Sequence, residues 1–392
     1  MLLKSAAMKS EIREFIQAIH NCSTQIVFVT AGAGTQALAD LLGVPGASRT
    51  LLEALVPYSA AAFDEFLGQT PAQYVAEQTS HLLAGRAYTR ARWLYEDDGP
   101  LVGVACTATI VTDRPKRGKH RAHVATWQPA RLTRYTLYLE KCARDRAGEE
   151  QMVSTLLLNA IRRACGLPQA ELPLPLLPGD NLTIETSDFA AAAERLYRKE
   201  IDYFGVHDHG RIRTSDAHPI VLLSGSFNPL HTGHLELARA ASAILGRPVA
   251  FEIAAINADK SSLAQTDLLW RMAQFAGRYP VFASNAPTFV AKARIFPQAT
   301  FVMGYDTARR VLLPRYYGHD PAEMLAALAE IRAQGCRFLV AGRVDEDGRF
   351  RTIHDLDIPP AFSGLFQPIP PNRFRHDISS TALRAAGLKG SR

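Results

Sequence analysis

Short apolar runs alternate with stretches whose apolar positions recur every three or four residues. Residues 25–32 (QIVFVTAG) read as a buried strand, and 34–43 (GTQALADLLG) as a helix closed by Gly43. Strands are expected at 101–111, 121–127 and 131–140. A strongly amphipathic helix is expected at 148–166, ended by Gly166. The first residues look like the lead-in to a helix. A Pro-rich stretch, CGLPQAELPLPLLPGDN (165–181), forbids a continuing helix and reads as a domain edge. A helix is expected from about 188 to 204, then a polar loop (206–219), with the second domain's first strand at 220–223. After it the alternation repeats. Strands at 219–225, 249–257, 281–285, 300–306 and 337–344 are separated by helical patterns, one reaching Leu245 and others near 266–277, 289–296 and 322–335. Regular alternation of this kind favours a parallel, doubly wound sheet.

Length sharpens this picture. A chain of 392 residues exceeds one ordinary core, so two α/β domains are expected: residues 10–166 and 218–392, joined by a linker with a helical segment at 167–217. Composition changes little, with 47% hydrophobic and 21% charged residues. No apolar run reaches the length of a membrane span, and the N-terminus lacks a secretory apolar region, so a cytoplasmic protein without membrane contact is expected. Five scattered cysteines without a C-x-x-C pair argue against structural zinc or a disulfide frame. The net charge of +6 (44 basic, 38 acidic residues) includes no dense basic block, and no nucleic-acid partner is expected.

The richest chemistry lies in VLLSGSFNPLHTGHLELARAA, from Val221. A tight strand-to-helix turn presents backbone N–H groups at a helix start, which favours anions. Gly225 and Gly233 let the backbone approach a phosphate closely. His231 and His234 lie one helical turn apart, so both imidazoles reach one face. Histidines that merely cap the helix are the plain alternative. Far downstream, ISSTALR (Ile378 to Arg384) clusters Ser379, Ser380 and Thr381 at a helix N-cap with Arg384 a turn below, a second phosphate-facing pattern.

GSFNPLHTGH resembles the first signature of the nucleotidyltransferase superfamily, in its nicotinamide or nicotinate mononucleotide adenylyltransferase branch, at Gly225, Phe227, Asn228, Pro229, His231, Gly233 and His234. ISSTALR is similar to that family's second signature. The phosphopantetheine branch usually has Thr where this chain has His231. Class I aminoacyl-tRNA synthetases carry a later K-M-S-K-S loop that is missing here. The resemblance implies a Rossmann-like domain that binds ATP and a mononucleotide, with Mg²⁺ bridging the phosphates and no protein metal ligand. It implies catalytic roles for His231, His234, Lys260 and Arg384. Contacts to ATP or substrate are implied for Gly225, Ser226, Phe227, Asn228, Gly233, Trp270, Arg271, Gly304, Asp306, Ile378, Ser379, Ser380 and Thr381. Plain readings stand beside several of these: a solvated loop Lys260 and a core Trp270.

The first half is similar to the C-terminal domain of the CinA family, whose active members deamidate nicotinamide mononucleotide. Val44 to Ser48 (V-P-G-A-S), Tyr58, Ser59, Leu67, Gly68 and Thr107 carry the resemblance, and Arg146 fits a family arginine. The departures matter: the family's nucleophilic serine falls on Ala31, and its lysine on Phe63. A degraded, inactive site is therefore expected. Gly32, Gly34 and Thr35 either hold a phosphate at a helix start or form a tight turn. CinA-type domains often self-associate, which implies a homo-oligomer by analogy only. Three readings stay open for the whole chain: AMP transfer to nicotinamide or nicotinate mononucleotide, adenylyl or cytidylyl transfer to another phosphorylated metabolite, and non-catalytic nucleotide sensing.

Overall fold

The computed structural model describes residues 2–97, 99–114, 117–167, 171–215, 220–256, 262–345 and 347–375, with side chains from residue 10 onward. The chain begins with α1 (Leu2–His20), β1 (Gln25–Ala31), α2 (Thr35–Gly43), β2 (Leu51–Leu55), α3 (Ala60–Leu67) and α4 (Glu77–Leu94). It continues through β3 (Leu101–Thr109), β4 (His120–Gln128), β5 (Arg131–Leu139), α5 (Arg146–Ala164), β6 (Asn181–Asp188) and α6 (Phe189–Tyr197). Then come β7 (Tyr203–Val206), β8 (Ile212–Arg213), β9 (Val221–Ser224), α7 (Thr232–Leu245), β10 (Val249–Ala254), α8 (Gln265–Met272), β11 (Val281–Ser284) and α9 (Phe289–Ile295). The last elements are β12 (Thr300–Gly304), α10 (Tyr305–Val311), α11 (Pro321–Ala333), β13 (Arg337–Ala341), β14 (Arg343–Val344), β15 (Phe350–Arg351) and β16 (Phe366–Ile369). Among the described residues no helix is long and apolar enough to cross a membrane.

Two large sheets result. The first runs β2-β1-β3-β4-β5-β6, parallel across β2, β1 and β3 and antiparallel from β3 to β6. The second runs β16-β13-β12-β9-β10-β11-β7-β8. Its six strands from β16 to β11 are parallel, and β7 and β8 add an antiparallel edge. Taken in chain order, those six strands lie 3-2-1-4-5-6, the order of doubly wound nucleotide-binding sheets. Alternate residues of each strand enter opposite cores: Leu223, Phe251 and Ala283 face α7 and α8, while Leu222, Ala250 and Phe282 face the side of α9 and α11.

Three expectations differ from what folds. The stretch 167–217 is no bare linker: β6 returns to the first sheet, and β7 joins the second. The helix expected at 188–204 is shorter, Phe189–Tyr197, because Asp188 caps it and β7 follows. The strand expected first in the second sheet, at 220–223, is preceded there by β7. β6 escaped a periodicity reading because it is an edge strand with mostly exposed residues.

α4 is the hinge of the architecture. One side packs on the first sheet, and Leu82, Leu83, Ala87 and Tyr88 share a single core with Phe204, Phe251 and Phe275 of the second unit. Gly85 makes this possible: a Cβ there would lie 2.3 Å from the backbone nitrogen of Gly277, and Gly277 itself has φ +68°. The two backbones touch where any side chain would separate them.

Candidate functional site

The turn between β9 and α7 lies at the carboxyl end of the central parallel strand. There the strand order reverses between β9 and β12, and such a switch point opens a crevice for ligands. Phe227 sets the turn. Its ring is 1% exposed and wedges edge-on against Phe251 and Phe275, both at 5.3 Å. Its backbone takes φ 41°, a left-handed conformation that L-residues adopt only when their surroundings enforce it. Phe227 therefore shapes the loop from below, and its side chain is a core anchor rather than a ligand contact. The Asn228–Pro229 bond is cis. Gly225 leaves room for the Phe227 ring, which a Cβ at 225 would meet at 2.8 Å.

His231 is the N-cap residue of α7, and its backbone N–H donates to Nδ1 of His234 at 3.3 Å. The two rings stack at 3.7 Å with 27° between their planes. Burial, then the neighbouring His231, holds the pKa of His234 down at about 3. His234 is therefore neutral at pH 7, which lets two imidazoles stack without repulsion. Gly233 is buried in the first turn of α7.

Two residues from α8 and the turn after it hold this loop. Arg271 donates to the Ser226 carbonyl at 3.2 Å. Gln274 accepts from the Leu230 N–H at 2.9 Å and donates to the Phe227 carbonyl at 2.8 Å. Gln274 carries no sequence signal; only its position against the loop reveals the clamp. Trp270 is neither core nor a free platform. It is 42% exposed, and the Arg92 guanidinium covers one face at 3.7 Å. Gly304 ends β12, the strand beside β9, and Asp306 follows in the first turn of α10, so they share the same edge. A Cβ at Gly304 would meet nothing, which leaves open space, and the Asp306 carboxylate is paired with Arg343. Lys260, Ile378, Ser379, Ser380, Thr381 and Arg384 lie outside the described residues.

In the first unit, Ala31 ends β1 directly opposite Thr107 of β3. A cleft of about 240 Å³ opens there, lined by Ala31, Gly32, Tyr58, Ser59, Phe63 and Thr107 among others. The serine and threonine hydroxyls of the lining are engaged elsewhere. Thr107 donates to the Tyr74 carbonyl at 2.7 Å, and Ser59 caps α3 through the Ala62 N–H at 3.2 Å. Thr30 is fully buried and donates to the Ala33 carbonyl, on the far side of the strand from Ala31. The start of α2 is not open to a phosphate. Glu150 of α5 accepts from the Gly34 N–H at 2.9 Å, the Gln36 N–H at 3.0 Å and the Thr35 hydroxyl at 3.2 Å. Of the two readings of Gly32, Gly34 and Thr35, the tight turn holds: a Cβ on Gly32 would lie 2.0 Å from the Ala108 carbonyl oxygen. Arg146 donates to the Val111 carbonyl at 2.6 Å, outside the cleft.

No family model matches the chain, and no curated protein matches it. Among solved structures it is similar to CinA-superfamily proteins over about two fifths of its length. The competence/damage-inducible protein CihA from Agrobacterium tumefaciens shares 16% identity at a TM-score of 0.30, over 41% of this chain and 92% of that one. A CinA superfamily protein from Enterobacter cloacae shares 15% at 0.33, over 40% and 92%. One from Escherichia coli shares 17% at 0.28, over 41% and 87%.

Proposed function

We propose that the second unit is a nucleotidyltransferase that joins AMP from ATP to nicotinamide or nicotinate mononucleotide. The observation that carries this reading is the stacked imidazole pair, His231 and His234, at the start of α7 beside the switch point of a 3-2-1-4-5-6 sheet. In the reaction, a 5′-phosphate oxygen of the mononucleotide attacks the α-phosphorus of ATP. The new P–O bond forms as the bond to the β-phosphate bridging oxygen breaks, and pyrophosphate leaves with that electron pair. No protein nucleophile is required. The protein's work is to align the phosphates and to donate hydrogen bonds to oxygens that gain charge.

His234, neutral when free, donates one N–H without first paying to desolvate a cation. Arg271 and Gln274 keep the loop in register, so their role is positional. Lys260 and Arg384 belong to this proposal through the sequence signatures alone. Mg²⁺ would travel with the triphosphate and supply charge neutralisation. Asp306, a carboxylate at this edge, is held by Arg343, which fits a metal carried by substrate. The first unit is proposed as a non-catalytic partner, because Ala31 offers no hydroxyl and Thr30 faces away.

The test is a pyrophosphate-release screen of the full chain with ATP or CTP against several mononucleotides. Mg²⁺-dependent release with ATP and nicotinamide or nicotinate mononucleotide is expected. Release only with CTP or another acceptor would move the chain to a different transferase. Nucleotide binding without release would make it a sensor.

A further inference from the structure

A second cleft, of about 600 Å³, lies at the junction of the two units, lined among others by Glu53 of β2, Arg86, Arg90 and Trp93 of α4, and Arg278. Arg278 precedes the amino end of β11, so this cleft sits at the opposite edge of the parallel sheet from the β9–α7 turn. The Gly85–Gly277 contact creates it. Each touching glycine is followed directly by an arginine, so backbone contact forces Arg86 and Arg278 together.

Two guanidinium groups in a partly desolvated site repel unless an anion lies between them. Among the described residues neither has a carboxylate partner. Arg90 has one, Glu53, at 2.8 Å. Nε of Arg86 donates to the Phe66 carbonyl at 3.0 Å. Nε of Arg278 is buried without a hydrogen-bond partner, a state that costs free energy in a finished site. Burial, then Arg86, pushes the Arg278 guanidinium down to about 10, with Arg239 of α7 adding to the effect. The cleft falls in the size range of small-ligand sites. Trp93 and Thr89 line the cleft with the arginines, as do two carboxylates, Glu65 and the Arg90-paired Glu53.

We propose that this cleft binds a nucleoside monophosphate, its phosphate between Arg86 and Arg278 and its base against Trp93. The site joins both units, so its occupant fastens them together. It does not depend on the transferase reading.

The test uses calorimetry and thermal unfolding of the full chain with three probes: AMP, inorganic phosphate and adenosine. AMP is expected to bind, phosphate to bind more weakly, and adenosine weakest. Arg278→Met is expected to weaken AMP at least about tenfold at this site, through loss of charge-assisted bonds. The same variant is expected to raise the ligand-free Tm, because it removes an unpaired like charge. A lowered ligand-free Tm with unchanged AMP affinity would overturn the proposal and make the arginines a structural stack. Equal binding of phosphate and AMP would overturn the nucleoside part. Should Arg278→Met fail to fold, Trp93→Leu reads out the base contact, and undiminished AMP binding there would count against the proposal. AMP bound at the β9–α7 turn is lost in His234→Ala instead, so the two sites fail on different variants.

Discussion

The β1–α2 and β9–α7 turns begin alike: a buried parallel strand, a Gly-rich bend, a helix start. They end differently. Glu150 fills the first with its own carboxylate, bound to two backbone N–H groups and a hydroxyl. Two stacked imidazoles crown the second, held from below by Phe227 and from the side by Gln274. A strand–turn–helix provides anion-binding geometry in both, and the difference lies in what the rest of the fold brings to it. In one unit a neighbouring helix supplies the anion; in the other, a neighbouring helix supplies clamps.

This contrast can be broken at several points. Phe227→Ala should have the largest effect, a loss of about 3–5 kcal/mol typical of a buried aromatic, because the ring supports both the core and the strained turn. Urea unfolding measures it; a loss under about 1 kcal/mol would show that the turn holds without its anchor. His234→Ala should lower kcat for pyrophosphate release about 10²-fold with little change in fold, since a donor to transition-state charge is lost. An unchanged kcat removes His234 from the chemistry. Glu150→Ala should cost about 1–3 kcal/mol by stripping backbone N–H groups of a charged acceptor. It should also create phosphate-dependent stabilisation at the first turn, which makes the two turns alike; no phosphate effect would mean that the first turn has lost anion binding for another reason.

The smallest effect concerns pH. Burial holds His234 and His81 down at about 3 and His123 at about 4. Their unfolded forms take a proton near the ordinary value of about 6.5. Below that pH the unfolded state therefore binds more protons than the folded state, and stability falls progressively toward pH 4. Tm measured from pH 7 to about 4.5 should decline, and His234→Phe should decline less. Equal slopes would show that His234 titrates normally in the folded chain.

Much of the second unit was legible in its residues. Its strands are buried on both faces and read as continuous apolar runs, while its helices keep one polar face, so periodicity separates them. The GSFNPLHTGH string announced a turn and an imidazole pair, but not that the Phe227 ring turns into the core instead of toward a ligand. The first unit was less readable. α4 is covered on both sides and keeps Thr79, Ser80 and His81 inside, so it has no amphipathic stripe. β6 is an exposed edge with no alternation to detect.

Local sequence determined which segments become strands and helices, and where the tight turns fall, because backbone preference and apolar periodicity act over a few residues. Ala31 alone was enough to leave the end of β1 without a hydroxyl in the first cleft. Tertiary structure decided what meets those turns. Glu150 reaches Gly34 from 116 positions away, and Arg86 meets Arg278 only because two glycines let distant backbones touch. Long-range partners are set by how whole elements pack, and no local pattern encodes that packing.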